Sequence, residues 1–463
     1  MRVTSSIYKR EYRLQYLATF AGTLSILSVG ANNAWTSPYL PQITNGTYPG
    51  ISVTSDEGSW IAIMPQLASP PGALIAAYLV DRIGRKMTTL LMAPITFAMF
   101  ITMAFARTTL AFCAIRFLIG CVGSILYTAL PMYLGEIAHP AIRGILTASV
   151  AFSSLLGTLL INVLGFHFSI LLSSLICAAI PLVHFLAFIW MPESPYYLIR
   201  KNMDETARES LAKLRSTDDN GNEFKMISVA VNEEIANKKA RFLDIFTVKS
   251  NRFALFVFII LNTTRKFSGI GPFLFYTVSI FQTAEGSVSP HTSVVIFLCI
   301  QIISAMVSLN VLDYVGRRPI IIISTVACII TLSISGTYFY CKEYHPDYLQ
   351  HFGWVPLTVL TIYMVFYNLG LELTPMVYAS ELFPTNVKAS ALGVVDVISS
   401  CNGIVTLKLF HILTDHYGMY LSFWVFAVCC VVGLVLIVIY VPETKNKTLQ
   451  EIQQDLSGRS EKA

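Results

Sequence analysis

The chain has 463 residues, 54% of them hydrophobic and 13% charged, with a formal net charge of +5. Soluble domains carry about a quarter charged residues, so this chain has half the charge that a water-exposed surface would need, and its mean hydropathy is +0.62. That excludes a water-soluble enzyme. Lys and Arg cluster in the segments between apolar runs, as membrane topology requires, so the basic balance is no nucleic-acid signature. The nine cysteines lie mostly inside apolar runs (Cys113, Cys121, Cys177, Cys299, Cys429, Cys430). They show neither metal-ligand spacing nor the disulfide framework of small secreted domains.

Runs of the roughly 20 residues that cross a bilayer recur along the whole length. The predicted spans are 14–36, 59–80, 87–106, 110–134, 145–165, 168–190, 253–281, 292–312, 319–340, 354–382, 389–414 and 418–441. Arg2, Lys9, Arg10 and Arg13 precede the first and imitate the start of a signal peptide. That run is long, has no clear cleavage site and is followed by many more, which makes it a retained first helix. Pro70, Pro71, Gly72, Pro131, Pro272 and Pro375 fall inside spans, where bundled membrane helices tolerate them because neighbours re-satisfy the freed backbone groups.

Sidedness follows from the basic residues. With the N-terminus cytoplasmic, the inside segments hold Arg82, Arg85, Lys86, Arg143, Arg317, Arg318, Lys388 and Lys445. They also hold segment 191–252, with eleven Lys or Arg, while the outside loops hold only Arg107 and Lys342. The sequon Asn45-Gly46-Thr47 falls in the first outside loop, so Asn45 is the expected glycosylation site. Sequons at Asn262 and Asn446 fall in a span and in the cytoplasmic tail and are expected to stay unused. The expected organisation is a cytoplasmic N-terminus (1–13), a six-helix half (14–190), a cytoplasmic linker (191–252), a second six-helix half (253–441) and a cytoplasmic tail (442–463). In the linker Ala207, Leu211 and Leu214 sit at helical spacing, with Glu209 and Lys213 paired at i,i+4. Short amphipathic helices on the membrane face are expected there.

The halves repeat one another. Asp81-Arg82-Ile83-Gly84-Arg85 follows the second span and Asp313-Tyr314-Val315-Gly316-Arg317-Arg318 the eighth. Glu136 precedes Arg143 by seven residues, as Glu381 precedes Lys388. Pro192-Glu193-Ser194 ends the sixth span and Pro442-Glu443-Thr444 the twelfth. The three pairs lie 232, 245 and 250 residues apart, in the same order. Duplicated halves of this kind build rocking transporters with a site near the bilayer midplane. Charge clusters at the helix ends suit a latch that is closed in one conformation and solvated in the other. Arg serves it by meeting carboxylates bidentately, and Gly84 and Gly316 permit the tight turn. A purely topological role would explain the basic residues but not the matched carboxylates.

With these motifs the sequence resembles the sugar porter family of the major facilitator superfamily. The matching residues are Asp81/Arg82/Gly84/Arg85, Arg116 with Gly120 and Gly123, Glu136-Ile137-Ala138 with Arg143-Gly144, and Pro192-Glu193-Ser194-Pro195. In the second half they are Ser268-Gly269-Ile270, Asp313/Gly316/Arg317/Arg318, Glu381-Leu382-Phe383-Pro384 and Pro442-Glu443-Thr444-Lys445. Trp35-Thr36-Ser37-Pro38, Gly58-Ser59-Trp60 and Pro140 are most similar to the facilitative trehalose transporter branch. The resemblance covers residues 14–452. It implies an all-helical membrane protein of twelve spans in the major facilitator fold, moving a hexose or trehalose by alternating access. Facilitated diffusion is favoured, since the first span carries Asn32 and Asn33 and no acid.

The sugar-reading positions that the resemblance implies depart from the family pattern. Arg265 and Lys266 stand where two glutamines are expected, and Gly271 stands where an asparagine is expected. Ala151, Met376 and Ser399-Ser400 replace a glutamine, a tryptophan and an Asn-Trp pair. Amides both donate and accept hydrogen bonds to hydroxyls, so the gating machinery is intact while its usual reader is not.

Arg265 and Lys266 lie near mid-span, where charges face a cavity or a partner, and Glu372 and Asp396 are the available counter-ions. Three readings stay open: structural pairing, binding of an anionic or highly polar substrate, and proton coupling through Glu372 or Asp396. Ser268 and Tyr276 complete the candidate substrate set. Arg116 reads as structural, and Lys408 reaches for the outer edge of its span. No catalytic residue, metal site or cofactor is expected, and no nucleic acid. The partners are a small solute and the lipid bilayer, and the location is the plasma membrane. The alternatives are a transporter of a non-sugar or anionic solute, and a non-transporting sensor on the same fold. A sensor would be expected to carry a long cytoplasmic tail, and 442–463 is short.

Overall fold

The computed structural model describes residues 12–46, 53–216, 221–236, 244–349, 351–383, 385–445 and 451. The first half of the chain forms α1 (Arg13–Ala34), α2 (Thr36–Thr44), α3 (Ser55–Ile83), α4 (Arg85–Phe105), α5 (Thr109–Ile137), α6 (Arg143–His167) and α7 (Ile170–Phe188). Three short helices follow, α8 (Pro195–Arg200), α9 (Asp204–Arg215) and α10 (Gly221–Ala236). The second half begins with α11 (Asp244–Thr247), α12 (Lys249–Phe267), α13 (Ile270–Phe275), α14 (Thr277–Ala284), α15 (Pro290–Val315) and α16 (Arg317–Tyr344). It ends with α17 (Val355–Tyr367), a π-helical turn (Asn368–Glu372), α18 (Thr374–Leu382), α19 (Thr385–Tyr417) and α20 (Met419–Tyr440). Among the described residues, twelve helical segments are long and apolar enough to cross a membrane.

Local chemistry sets the ends. Thr108, Ser169 and Ser289 cap α5, α7 and α15, each accepting a backbone N–H from three residues on. Apolar side chains such as Leu74, Leu110, Leu186 and Val432 stay exposed; hydrocarbon is their natural solvent, so these outward faces need no further cover.

The helices group into two compact units, Met1–Trp35 with Leu67–Lys239 and Thr36–Gln66 with Ala240–Ala463. In the first unit α1 lies against α6 at very short range. A Cβ on Gly157 would stand 2.0 Å from the Leu27 carbonyl oxygen, and one on Gly30 would stand 2.1 Å from that of Ser154. Only glycines allow backbones so close, the small-residue packing that replaces the hydrophobic effect between membrane helices. Ser153 Oγ donates to the Thr23 carbonyl at 2.7 Å and His184 Nδ1 to that of Ala21 at 2.7 Å. The first span breaks at Trp35, between α1 and α2. Fully buried Arg116 of α5 donates from Nη1 to the Asn32 carbonyl at 2.6 Å and lies over the Trp35 ring at 5.6 Å. A distant side chain thus serves the backbone acceptor beside the break.

The helices after α7 dock on this same unit. Ala207 and Leu211 of α9 are buried with Tyr197, Phe224, Ile227 and Val231, while Leu214 joins the core cluster of the spans that includes Leu134 and Ile137. Arg215 meets the Glu223 carboxylate at 2.7–3.1 Å and donates to the Ile137 carbonyl, at the end of α5. Gln15, fully buried, donates to the Leu214 carbonyl and accepts from the His139 N–H.

In the second unit the far end of the second span is held to α19. Lys408 bonds the Asp56 carboxylate and Ser59 Oγ (2.8 Å) and lies 5.0 Å over the Trp60 ring. The Val278 N–H reaches Ser37 Oγ at 3.4 Å. The motif repeat relates 14–190 to 253–441 in sequence; packing carries 36–66 with the second unit, and these contacts are the reason.

The close approach makes a simple prediction. Gly157→Val should abolish monodisperse protein in detergent, whereas Gly144→Ala, with nothing within 4 Å of its added carbon, should leave the elution profile and melting temperature unchanged.

Candidate transport site and the repeated motif clusters

The motif residues of the first half converge on the start of α4. Gly84 precedes it with φ +100°, and the Glu193 carboxylate accepts the N–H groups of Arg85, Lys86 and Met87 at 2.9–3.3 Å. Those are orphan donors of a helix N-terminus, facing its positive dipole end. A side chain at Gly84 would collide with that same carboxylate, at 2.5 Å. Arg85, almost fully buried, reaches Glu136 from Nε at 3.1 Å and Nη2 at 3.0 Å and donates to the Val80 carbonyl. Ser194 bonds the other Glu136 oxygen, and Tyr133 donates to the Pro192 carbonyl at 2.8 Å. Arg85 also lies 5.4 Å over the Tyr197 ring, whose hydroxyl donates to the Arg82 carbonyl. Partial burial, with Glu193 nearby, raises the Tyr197 phenol above its ordinary value, which keeps it a donor.

The second half repeats the arrangement. Gly316 has φ +103°, and Glu443 accepts the N–H groups of Arg317 and Arg318 at 3.2 and 3.0 Å. Arg317 meets Glu381 at 3.2 Å through Nε and Nη2, and Tyr378 donates to the Pro442 carbonyl at 2.6 Å. Each cluster therefore closes within its own unit. Asp81 pairs with Arg200 at 3.4 Å in an exposed contact, a geometry worth about 0–1 kcal/mol. Arg82 and Arg143 are exposed, and Glu136 is met by Arg85, not by Arg143 seven residues on. The side chains of Asp313 and Lys388 lie outside the described residues, as do Pro384 and Thr47 of the Asn45 sequon; Asn45 itself is exposed.

At mid-span the second unit brings Arg265 and Glu372 together. Both sit where helices break. Arg265 and Lys266 occupy the last turn of α12, which stops before Gly269 (φ +89°), and Glu372 ends the π turn just before α18. Cations suit a helix C-terminus and a carboxylate suits the following N-terminus, and broken segments of this kind concentrate at functional sites. Arg265 donates from Nε to Glu372 Oε2 at 2.8 Å and from Nη2 to Oε1 at 2.7 Å. Tyr367 donates to the same carboxylate at 2.6 Å. The two side chains keep exposures of 20% and 32%, so protein does not enclose this paired charge on every side.

Ser268 Oγ donates to the Arg265 carbonyl, and Tyr363 donates to the Ser268 carbonyl at 3.0 Å. Lys266 is half-buried and Asp396 exposed; neither makes an ion pair with a described residue. Tyr276 is buried, its ring 5.4 Å from that of Phe410. Of the available counter-ions, Arg265 takes Glu372. Sequence reasoning left Tyr367 and Tyr363 out of the candidate set, yet both act here through their hydroxyls. It missed Ser324, which donates to the Phe366 carbonyl at 2.6 Å and accepts the Leu371 N–H, mending the backbone at the π turn. No periodicity marks such a residue.

Twelve spans carrying the same motif cluster in both halves define a secondary transporter of the major facilitator fold, not an enzyme. The profile of the family described as "Sugar (and other) transporter" matches residues 14–456. The facilitated trehalose transporter Tret1-2 homolog of Drosophila simulans is 33% identical over 449 residues, 96% of this chain and 91% of that protein. Trehalose transporter 1 of Drosophila melanogaster is 32% identical over 96% of this chain and 52% of its own length. Among solved structures, the inward-open xylose transporter XylE of E. coli has TM-score 0.80 and 19% identity, over 95% of this chain and 99% of that one. The nucleoside transporter NupG has TM-score 0.63 and 14% identity, over 93% and 100%. One fold thus carries different solutes. The chain belongs to the sugar transporter family.

The caps predict a stability effect. Glu193→Ala leaves three helix donors uncapped and should lower stability in detergent by about 1–2 kcal/mol, the upper range for a lost N-cap; Arg143→Ala should leave the melting temperature unchanged.

Proposed function

We propose that this protein moves a small neutral sugar, trehalose or a hexose, down its gradient across the plasma membrane by alternating access. The observation that carries the reading is the pair of matching charge clusters, each tying helix ends into one block, beside helices broken at mid-span. Blocks that move as units around broken helices are what a rocking transporter requires. In this reading 14–190 and 253–441 are the moving halves, and 191–252 is a cytoplasmic linker whose helices steady the first. Both termini face the cytoplasm, as the basic segments require, and Asn45 is glycosylated outside. Asp81, Arg82, Gly84, Arg85, Glu136, Arg143 and Glu193 form the gate with Asp313, Gly316, Arg317, Arg318, Glu381, Lys388 and Glu443. The 33% identity to a facilitated trehalose transporter supports the substrate class and the absence of coupling.

A second reading has one specific support. Lys266 makes no hydrogen bond or close ion pair with a described residue and feels Glu372 and Asp396 only at longer range, and an ammonium so loosely held beside the site favours an anionic or highly polar solute.

Counterflow of radiolabelled trehalose and glucose in proteoliposomes, at equal pH on both sides, tests the first reading. Accumulation that collapses when the internal unlabelled sugar is removed is the expected result. Accumulation of neither sugar would contradict it. Glu136→Gln and Arg317→Ala should each cut uptake by about tenfold or more, the effect of breaking a charge-assisted contact, with surface expression near normal. Undiminished uptake in both would remove the clusters from the mechanism.

A further inference from the structure

We infer that the Arg265–Glu372 ion pair is itself the hydroxyl reader of the site and the determinant that selects neutral over anionic solutes; the inference rests on the sugar reading above. A carboxamide reads a hydroxyl by offering a donor and an acceptor side by side. The ion pair offers the same combination. Arg265 spends Nε on Glu372 Oε2 and Nη2 on Oε1, while Nη1 has no hydrogen bond with a described residue. Glu372 Oε2 accepts from Arg265 and Tyr367, while Oε1 accepts, among the described residues, only from Arg265 Nη2. One donor group and one acceptor lone pair are therefore left over on adjacent groups, on side chains that keep 20% and 32% exposure.

Three features keep this edge in place. The pair is bidentate, which fixes its plane. Tyr367 holds the carboxylate from the turn before it, and its ring stacks on Tyr363 at 5.9 Å. Tyr363 in turn bonds the Ser268 carbonyl at the break that ends α12. The reader is thus fixed from both helices that supply it.

Its net charge is zero. Arg265 taken alone would favour an anion, but its charge is compensated at 2.7–2.8 Å. A carboxylate solute would have to displace Glu372, whereas a polyol bonds the free edge without breaking the pair. Lys266 and Asp396 add one charge of each sign and leave the balance unchanged.

The test is uptake of radiolabelled glucose into proteoliposomes, with unlabelled glucose or glucuronate as competitor. Wild type should take up glucose and be inhibited by glucuronate at least about tenfold more weakly than by glucose, one charge-assisted hydrogen bond's worth of discrimination. Glu372→Gln, which frees the guanidinium, should lose glucose uptake by about tenfold or more and bring glucuronate close to glucose in potency. Arg265→Gln should lose uptake without gaining glucuronate sensitivity. Arg265→Gln/Glu372→Gln, which restores two amides, should recover uptake to within about threefold of wild type and stay insensitive to glucuronate.

The selectivity readout separates reading from folding, because a merely structural pair would change activity and not preference. If a single variant does not fold, the double variant still decides: loss of glucose uptake in a monodisperse double variant overturns the inference. Wild-type selectivity retained by Glu372→Gln also overturns it, as does glucuronate potency that depends on Lys266→Gln alone. Wild type that moves no neutral sugar overturns the sugar reading, a result distinct from all of these.

Discussion

A charge within a bilayer is stable only beside a partner or in water, and the placement of the paired arginines described here follows from that constraint. Arg85 is buried against Glu136, while Arg317 pairs with Glu381 and Arg265 with Glu372 at partly exposed positions. Removing Glu136 would cost about 3–5 kcal/mol because buried Arg85 is left uncompensated, and the partly exposed pairs would lose less. Each pair therefore fixes two helices relative to each other more firmly than apolar packing between membrane helices does. Arg116 obeys the same constraint without a carboxylate, drawing on the Asn32 backbone carbonyl and the Trp35 ring.

The two motif clusters show how the constraint is turned to use. In both halves a glutamate after the last span caps the third span of that half, and an arginine just inside the capped helix grips a glutamate at the end of the next span. A tyrosine one turn before that second glutamate holds the proline of the Pro-Glu pair. Three helix ends are thereby tied by side chains that come from distant points of the chain. Such ties are local to a unit, and they leave mid-span, where α12 and the tenth span are broken, as the place where geometry is free to serve a solute.

Much of this was legible in the sequence. Span number and sidedness follow from apolar length and basic clusters, and the duplicated motifs announced both clusters before any coordinate. The break after Ser268 interrupts the predicted span 253–281, although Gly269 and Pro272 are its local signs. Other features carry little or no local sign. Pro38 marks the first span's break, since its ring cannot bond the Ala34 carbonyl, but nothing local announces the group that serves Asn32, an arginine more than eighty residues away. The π turn at Asn368–Glu372 depends on Ser324 of another helix. The seven-residue spacing of Glu136 and Arg143 marks the repeat but names no partner; the chain turns at Ala138–Ile142 and Arg85 takes the carboxylate. The choice of Glu372 over Asp396 as partner for Arg265 rests on helix rotation, which packing sets and periodicity does not.

The central claim is that the mid-span charges are mutually compensated and that a neutral solute crosses without moving net charge. Charge movement measures this directly. On a supported membrane carrying the reconstituted protein, a trehalose or glucose concentration jump should give no sustained current, with or without a pH difference. A sugar-evoked current that grows with the proton gradient would contradict the account and would mark Glu372 or Asp396 as a proton carrier.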